Sequence, residues 1–187
     1  TFKALQRVGV FEEALRQAPC LVNNFNDVEG HLFTEPVTDS EGPSYYLCIR
    51  RITLDFILFE RMRREQRVTI RQGAIVTDLL NENGRVTGVK WTEEGKEQSA
   101  AARVVVGADG IRSVVATRVN PTVENSVPVQ RAMYYGYFEN LAPSQGPAAE
   151  FHYRGNRLVY VFPTDGNLTL IASSIPFWEF ESYKKNL

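Results

Sequence analysis

The sequence is poor in the residues that build metal or disulfide scaffolds. Its 187 residues include two cysteines, Cys20 and Cys48, and two histidines, His31 and His152. Two cysteines are too few for a disulfide framework, and they read as small packing hydrophobes with free thiols. The histidines lie far apart with no flanking Cys or acid at ligand spacing, so no zinc or other metal site is expected. An excess of one charge is also missing: Lys plus Arg is 21 and Asp plus Glu is 22, for a net charge of −1. That balance argues against a domain held on nucleic acid by phosphate charge, or on a membrane by a polybasic patch. No apolar run approaches the ~20 residues of a membrane span, and the first residues carry no signal-peptide pattern. No serine sits in a G-x-S-x-G setting, and no G-x-G-x-x-G occurs. What remains is an ordinary globular composition, 43% hydrophobic and 23% charged. The expectation is a soluble, cytoplasmic domain with a sizeable core.

Residues 1–18 read as a helix interrupted at Gly9 and stopped by Pro19. Short strands are expected around 21–25 and 30–36, and the cluster 38–44 is a loop. Residues 53–66 predict a second helix. Thr53 is placed to cap it, Asp55 suits its first turn, and Leu54, Ile57, Leu58 and Met62 form one stripe. Phe56 and Phe59 widen that stripe and imply packing on two sides. From Val68 the period changes to two. Strands are expected over 68–71, 74–80 and 85–91, with a hairpin at Asn83-Gly84 and a return strand after Gly95. Arg103–Gly107 is a β-branched run without alternation, the pattern of a strand buried on both faces. A helix is expected from 111 to 118. Residues 131–138, 149–153, 158–163 and 167–173 predict an antiparallel, aromatic-rich sheet with turns at Gly155-Asn156 and Asp165-Gly166.

Three groups of residues carry chemical information. The run Gly107-Ala108-Asp109-Gly110 with Ser113 ends a strand and opens a helix, the place where α/β proteins put ligand crevices. Its glycines permit close backbone approach, and Asp109 can accept from sugar hydroxyls. The same pattern equally describes a helix cap. Arg50 and Arg51 stand at the positive end of a helix, which makes sense either with a bound anion or with an acid such as Asp55 as partner. Tyr135, Tyr137, Phe151, Tyr160 and Phe162, with their aromatic neighbours, either line an apolar pocket or form sheet core.

Taken together, these segments resemble the single-component FAD-dependent monooxygenases of the para-hydroxybenzoate hydroxylase class. Arg51-x-x-Leu54-Asp55-x-x-Leu58 is similar to that family's arginine-to-helix motif, and Asn83 to Val89 to the hairpin that follows it. Val105 to Ser113 resembles its "DG" fingerprint, and Phe162-Pro163-Thr164-Asp165-Gly166 a turn in its substrate-side sheet. The resemblance implies a mixed α/β (α+β) fold: a partial FAD/NAD(P)-binding domain with a β-meander (1–120) and part of an antiparallel substrate-binding sheet (121–187). It implies FAD as cofactor, NADPH or NADH as reductant, and a small organic, aromatic or apolar substrate. Arg51, Gly107, Asp109, Gly110 and Ser113 would bind the cofactor, and Tyr135, Tyr137, Phe151, Tyr160 and Phe162 the substrate. No residue is assigned to catalysis. Ala116 stands where the family often has an arginine, with Arg118 nearby. The family's glycine-rich unit is expected before Thr1 and its Gly-Asp segment after Leu187, so these residues alone are expected to be inactive. Related flavin-dependent reductases or halogenases, and a non-enzymatic β-rich binding module, are the other readings.

Overall fold

The computed structural model describes residues 2–146 and 148–185. The chain divides into two compact units, one made of Thr1–Gln66 with Pro128–Leu187, the other of Arg67–Val127.

The first unit opens with helices α1 (Phe2–Arg7) and α2 (Phe11–Gln17), broken at Gly9 as the sequence predicts. Six short strands follow: β1 (Cys20–Leu21), β2 (Asn23–Val28), β3 (His31–Pro36), β4 (Thr38–Asp39), β5 (Gly42–Pro43) and β6 (Tyr46–Leu47). Helix α3 (Arg51–Arg63) lays Ile57 against Leu5, Val10 and Ala14, with Leu54 and Leu58 at the rim of that core. Of the two residues expected to give packing on a second side, Phe59 is half-buried but Phe56 is 63% exposed. Thr53 is not the cap. The helix begins two residues earlier, after an extended Arg50 that offers no side-chain cap bond. Cys20 is exposed rather than packed, while burial pushes the Cys48 thiol up to about 11.

The C-terminal strands are β10 (Arg131–Glu139), β11 (Ala148–Arg154), β12 (Arg157–Pro163) and β13 (Leu168–Pro176), followed by α5 (Phe180–Lys184). They join β2 and β3 in a six-stranded sheet ordered β10-β13-β12-β11-β2-β3. Every joint is antiparallel except β2 with β11, which is parallel. Residues 23–36 therefore lie at the edge of the C-terminal sheet, and both ends of the chain build one unit. Register sets Tyr135, Ala172, Tyr160 and Phe151 in one rung, so their side chains share a face. On the other face Ile175 and Phe25 are buried, and α5 stacks Phe180 and Tyr183 on Tyr134.

The second unit is a three-stranded meander, β7 (Ile75–Glu82), β8 (Arg85–Glu93) and β9 (Lys96–Ala101), with α4 (Val114–Val119). The hairpin at Asn83-Gly84 forms as predicted, joining Glu82 to Arg85. Two predicted strands do not form. Residues 68–71 are irregular, and Arg71 instead pairs with Glu93 and lies over the Trp91 ring. Residues 103–107 are also irregular, with Val104 74% and Val106 81% exposed. The β-branched run there has the right composition, but no strand among the described residues lies beside it to complete a ladder.

Candidate functional site

The candidate cofactor motifs divide between the units. In the first, Arg51 is the first residue of α3, and its Nε donates to both Asp55 oxygens at 2.7 and 2.8 Å. The side chain is 85% exposed, so this pair is a weak tie. Arg51 thus has the acid partner that its position calls for, and it still projects at the positive end of a 13-residue helix without a side-chain cap. From it an open groove of about 620 Å³ runs along α3, lined by Asp55, Leu58, Phe59, Met62 and Val8.

Arg50 is bound quite differently. Its amide donates to Asp165 Oδ1 at 2.6 Å, and its Nε to Asp165 Oδ2 at 3.0 Å. The Thr53 hydroxyl donates to the same Oδ2. Asp165 is buried in the tight turn between β12 and β13, where Gly166 has a φ of +69°. Burial pushes its carboxyl up, but the bonds from the Arg50 amide, the Thr53 hydroxyl and the Arg50 guanidinium outweigh burial and hold it below its ordinary value. On its other side the Arg50 guanidinium lies 5.9 Å from the centre of the Tyr137 ring. The helix that carries Arg51 is thereby fastened to the aromatic face of the sheet.

All five residues expected to form the substrate pocket lie on that face. Phe151, Tyr160 and Phe162 make a mutual cluster with ring centroids 5.4–5.8 Å apart. Tyr135 and Tyr137 form an edge-on pair at 6.0 Å. The β13 residues Ala172 and Leu170 stand between the two groups. Tyr135 is 66% exposed, so the face is a broad apolar platform rather than a sealed core.

In the second unit, Asp109 caps α4. Its Oδ1 accepts from Ser113 Oγ at 2.5 Å, and its Oδ2 from the amides of Val114 (2.7 Å) and Val115 (3.3 Å). Ser113 Oγ in turn accepts from the Ala116 amide at 2.9 Å. The Ser113 bond, aided by the Val115 and Val114 amides against a modest desolvation, holds the Asp109 carboxyl below its ordinary value. Gly107 is required by packing, since a Cβ there would lie 2.7 Å from Val115 Cβ. Gly110 adopts φ +77°, and nothing stands within 4 Å of where its Cβ would be, leaving its backbone open to a ligand. Arg118, near the position of the family arginine, faces β7. It donates to Asp78 Oδ1 at 2.8 Å and to the Thr77 carbonyl at 3.2 Å, pinning α4 to β7.

Each of these groups, taken by itself, has chemistry that a flavin dinucleotide would use. Arg51 at an uncapped helix start suits phosphate, and the exposed Asp109 carboxylate beside an unobstructed Gly110 suits sugar hydroxyls and close backbone approach. Asp165 and the part played by Arg50 are not apparent in the sequence. Their partners lie 115 residues apart, and the only local sign is the turn chemistry of Thr164-Asp165-Gly166.

The FAD binding domain family matches residues 1–166, and the chain belongs to that family. FAD is its cofactor, and the mixed α/β fold is that of an FAD-binding domain. Among solved structures, PqsL, a probable FAD-dependent monooxygenase from Pseudomonas aeruginosa, superposes with a TM-score of 0.78 at 20% identity, over 96% of this chain and 50% of that one. The myxobacterial chondrochloren halogenase CndH gives 0.75 at 23%, over 96% and 43%. The p-nitrophenol 4-monooxygenase PnpA from Pseudomonas putida DLL-E4 gives 0.76 at 19%, over 94% and 45%. At such identities the likeness is one of fold. In sequence, the digeranylgeranylglycerophospholipid reductase 2 of Methanococcoides burtonii is 28% identical across 121 residues, taking in 57% of this chain and 27% of that protein. The chain thus spans half or less of the length of these relatives. No helix among the described residues is long and apolar enough to cross a membrane.

Proposed function

We propose that the protein is an FAD-dependent monooxygenase that oxygenates an organic substrate with an aromatic or apolar body, using NADPH or NADH as reductant. The observation that carries this reading is the contact of Arg50 with Tyr137, which sets the start of the Arg51 helix beside a broad aromatic platform. Bound FAD supplies the electron transfer and the activation of oxygen. The chain supplies placement. Arg51 holds an anionic part of the cofactor at the start of α3. Gly107, Asp109, Gly110 and Ser113 offer backbone approach and a hydrogen-bond acceptor. Tyr135, Tyr137, Phe151, Tyr160 and Phe162 receive the apolar substrate and shed water from it. On this reading 1–120 contributes mainly to the cofactor and 121–187 to the substrate, in a cytoplasmic enzyme.

A flavin-dependent reductase is the second reading, favoured by the identity to the M. burtonii reductase. An apolar platform of this breadth suits an isoprenoid chain as well as a ring. The test is product analysis with the full-length protein, FAD and NADPH or NADH, over a panel of aromatic and isoprenoid compounds. Products carrying one added oxygen atom support the monooxygenase. Products that gain only hydrogen support the reductase and overturn the first proposal.

A further inference from the structure

Asp165 sits in a turn of the sheet, yet its partners are all at the start of α3. Its carboxylate receives the Arg50 amide, the Arg50 guanidinium and the Thr53 hydroxyl. It satisfies the amide of the residue that precedes the helix, the bond the acid of a capping box makes, from a side chain 115 residues away in sequence. Helix α3 has no cap of its own, because Arg50 offers no side-chain acceptor. The geometry is tight as well: a Cβ on Gly166 would stand 3.1 Å from Arg50 Nη2. The next residue after this clasp is Arg51.

We infer that Asp165 is a positioning residue: it fixes the first turn of α3 and, through the peptide link to Arg50, the direction in which Arg51 meets the dinucleotide. Through Arg50 on Tyr137, the same clasp makes the aromatic face and the cofactor-facing helix start one rigid piece. The inference rests on the proposed role of Arg51. Asp165 itself touches neither cofactor nor substrate on this account, so its loss shows in cofactor affinity rather than as a missing chemical group.

The test uses the full-length protein and FAD itself, by flavin-fluorescence titration, beside thermal melting. Asp165→Asn keeps the shape but removes the charge and one acceptor, and it should weaken FAD binding roughly tenfold or more. Thr53→Val should weaken binding in the same direction and Thr53→Ser should restore it, since only the hydroxyl is needed. Asp27→Asn is the control. It breaks the Arg154 and His152 contacts on the opposite face of the same sheet, so it lowers the melting temperature without touching α3. FAD affinity unchanged in Asp165→Asn, or weakened equally by Asp27→Asn, overturns the inference. Loss of affinity in Asp165→Asn and Thr53→Val alone supports it. A wild-type protein that binds FAD, with an Asp165→Asn variant that binds as well, removes the clasp and leaves the cofactor assignment standing. A wild-type protein that binds no FAD removes both.

Discussion

The two candidate cofactor motifs are held in opposite ways. The Arg51 motif depends on a partner far away in sequence, with Asp165 reaching across from the sheet. The Gly107–Ser113 motif is closed on itself, since every bond to Asp109 comes from residues within six positions of it. Around the first, the packing is dense: Ile57 of the same helix is 3% exposed and Asp165 is 4% exposed. Around the second, Val106 and Ile111 stand open. A motif closed on itself keeps its local shape whatever surrounds it. One held by a distant partner exists only when the whole unit is folded.

That contrast can be broken by mutation, and the largest effect belongs in the sheet. Ile175→Ala should cost about 2–5 kcal/mol by cavity formation and take the Asp165 clasp with it. Urea unfolding read by tryptophan and tyrosine fluorescence measures this. Next comes Asp165→Ala, which leaves the Arg50 amide and the Thr53 hydroxyl without their acceptor. With Arg50 partly solvated, the expected cost is about 1–3 kcal/mol.

Acid offers a graded form of the same test. The native Asp165 carboxyl is held below its ordinary value, so on acidification the unfolded chain takes up the proton first. Its stabilising contribution is complete above about pH 4 and is lost as pH falls through the lower native value. Asp27, whose carboxyl is held well down chiefly by the Arg154 guanidinium against some desolvation, acts in the same direction. Melting temperature followed from neutral pH to about pH 3 should fall, and Asp165→Asn should flatten that fall. A slope unchanged in the variant contradicts the assignment.

The second unit should respond more mildly. Ser113→Ala removes the acceptor for the Ala116 amide and should cost about 0.5–2 kcal/mol, confined to α4. Amide exchange in residues 114–119 should rise, with the meander unaffected. Smallest of all, Val104→Thr on the exposed run should change stability by less than about 0.5 kcal/mol.

The sequence was most informative where structure is local. The break at Gly9, the Asn83-Gly84 hairpin, the Ser113 side of α4 and the four C-terminal strands all follow from turn chemistry and period. It failed where a partner is remote. Nothing near Asn23–Val28 announces a parallel match with β11, because period two fixes which face a residue takes but not which strand lies next to it. Thr53 has the right identity for a cap, yet its hydroxyl is claimed by Asp165 and the helix starts earlier. Arg103–Gly107 has strand composition without a neighbouring strand. In the candidate site, motif spacing singles out Arg51 and Asp109 as candidates, and Asp109 serves the capping role that is the competing reading. Arg50 and Asp165 were not legible as a pair, since no local window contains both.

The most direct measurement is the FAD content of the full-length protein after gel filtration, for the wild type and for Arg51→Ala. The wild-type protein should be yellow with close to one flavin per chain, and the Arg51→Ala variant should fold with an unchanged melting temperature but emerge largely stripped of flavin. A colourless wild type, or an Arg51→Ala variant that keeps its full complement of FAD, would contradict this expectation.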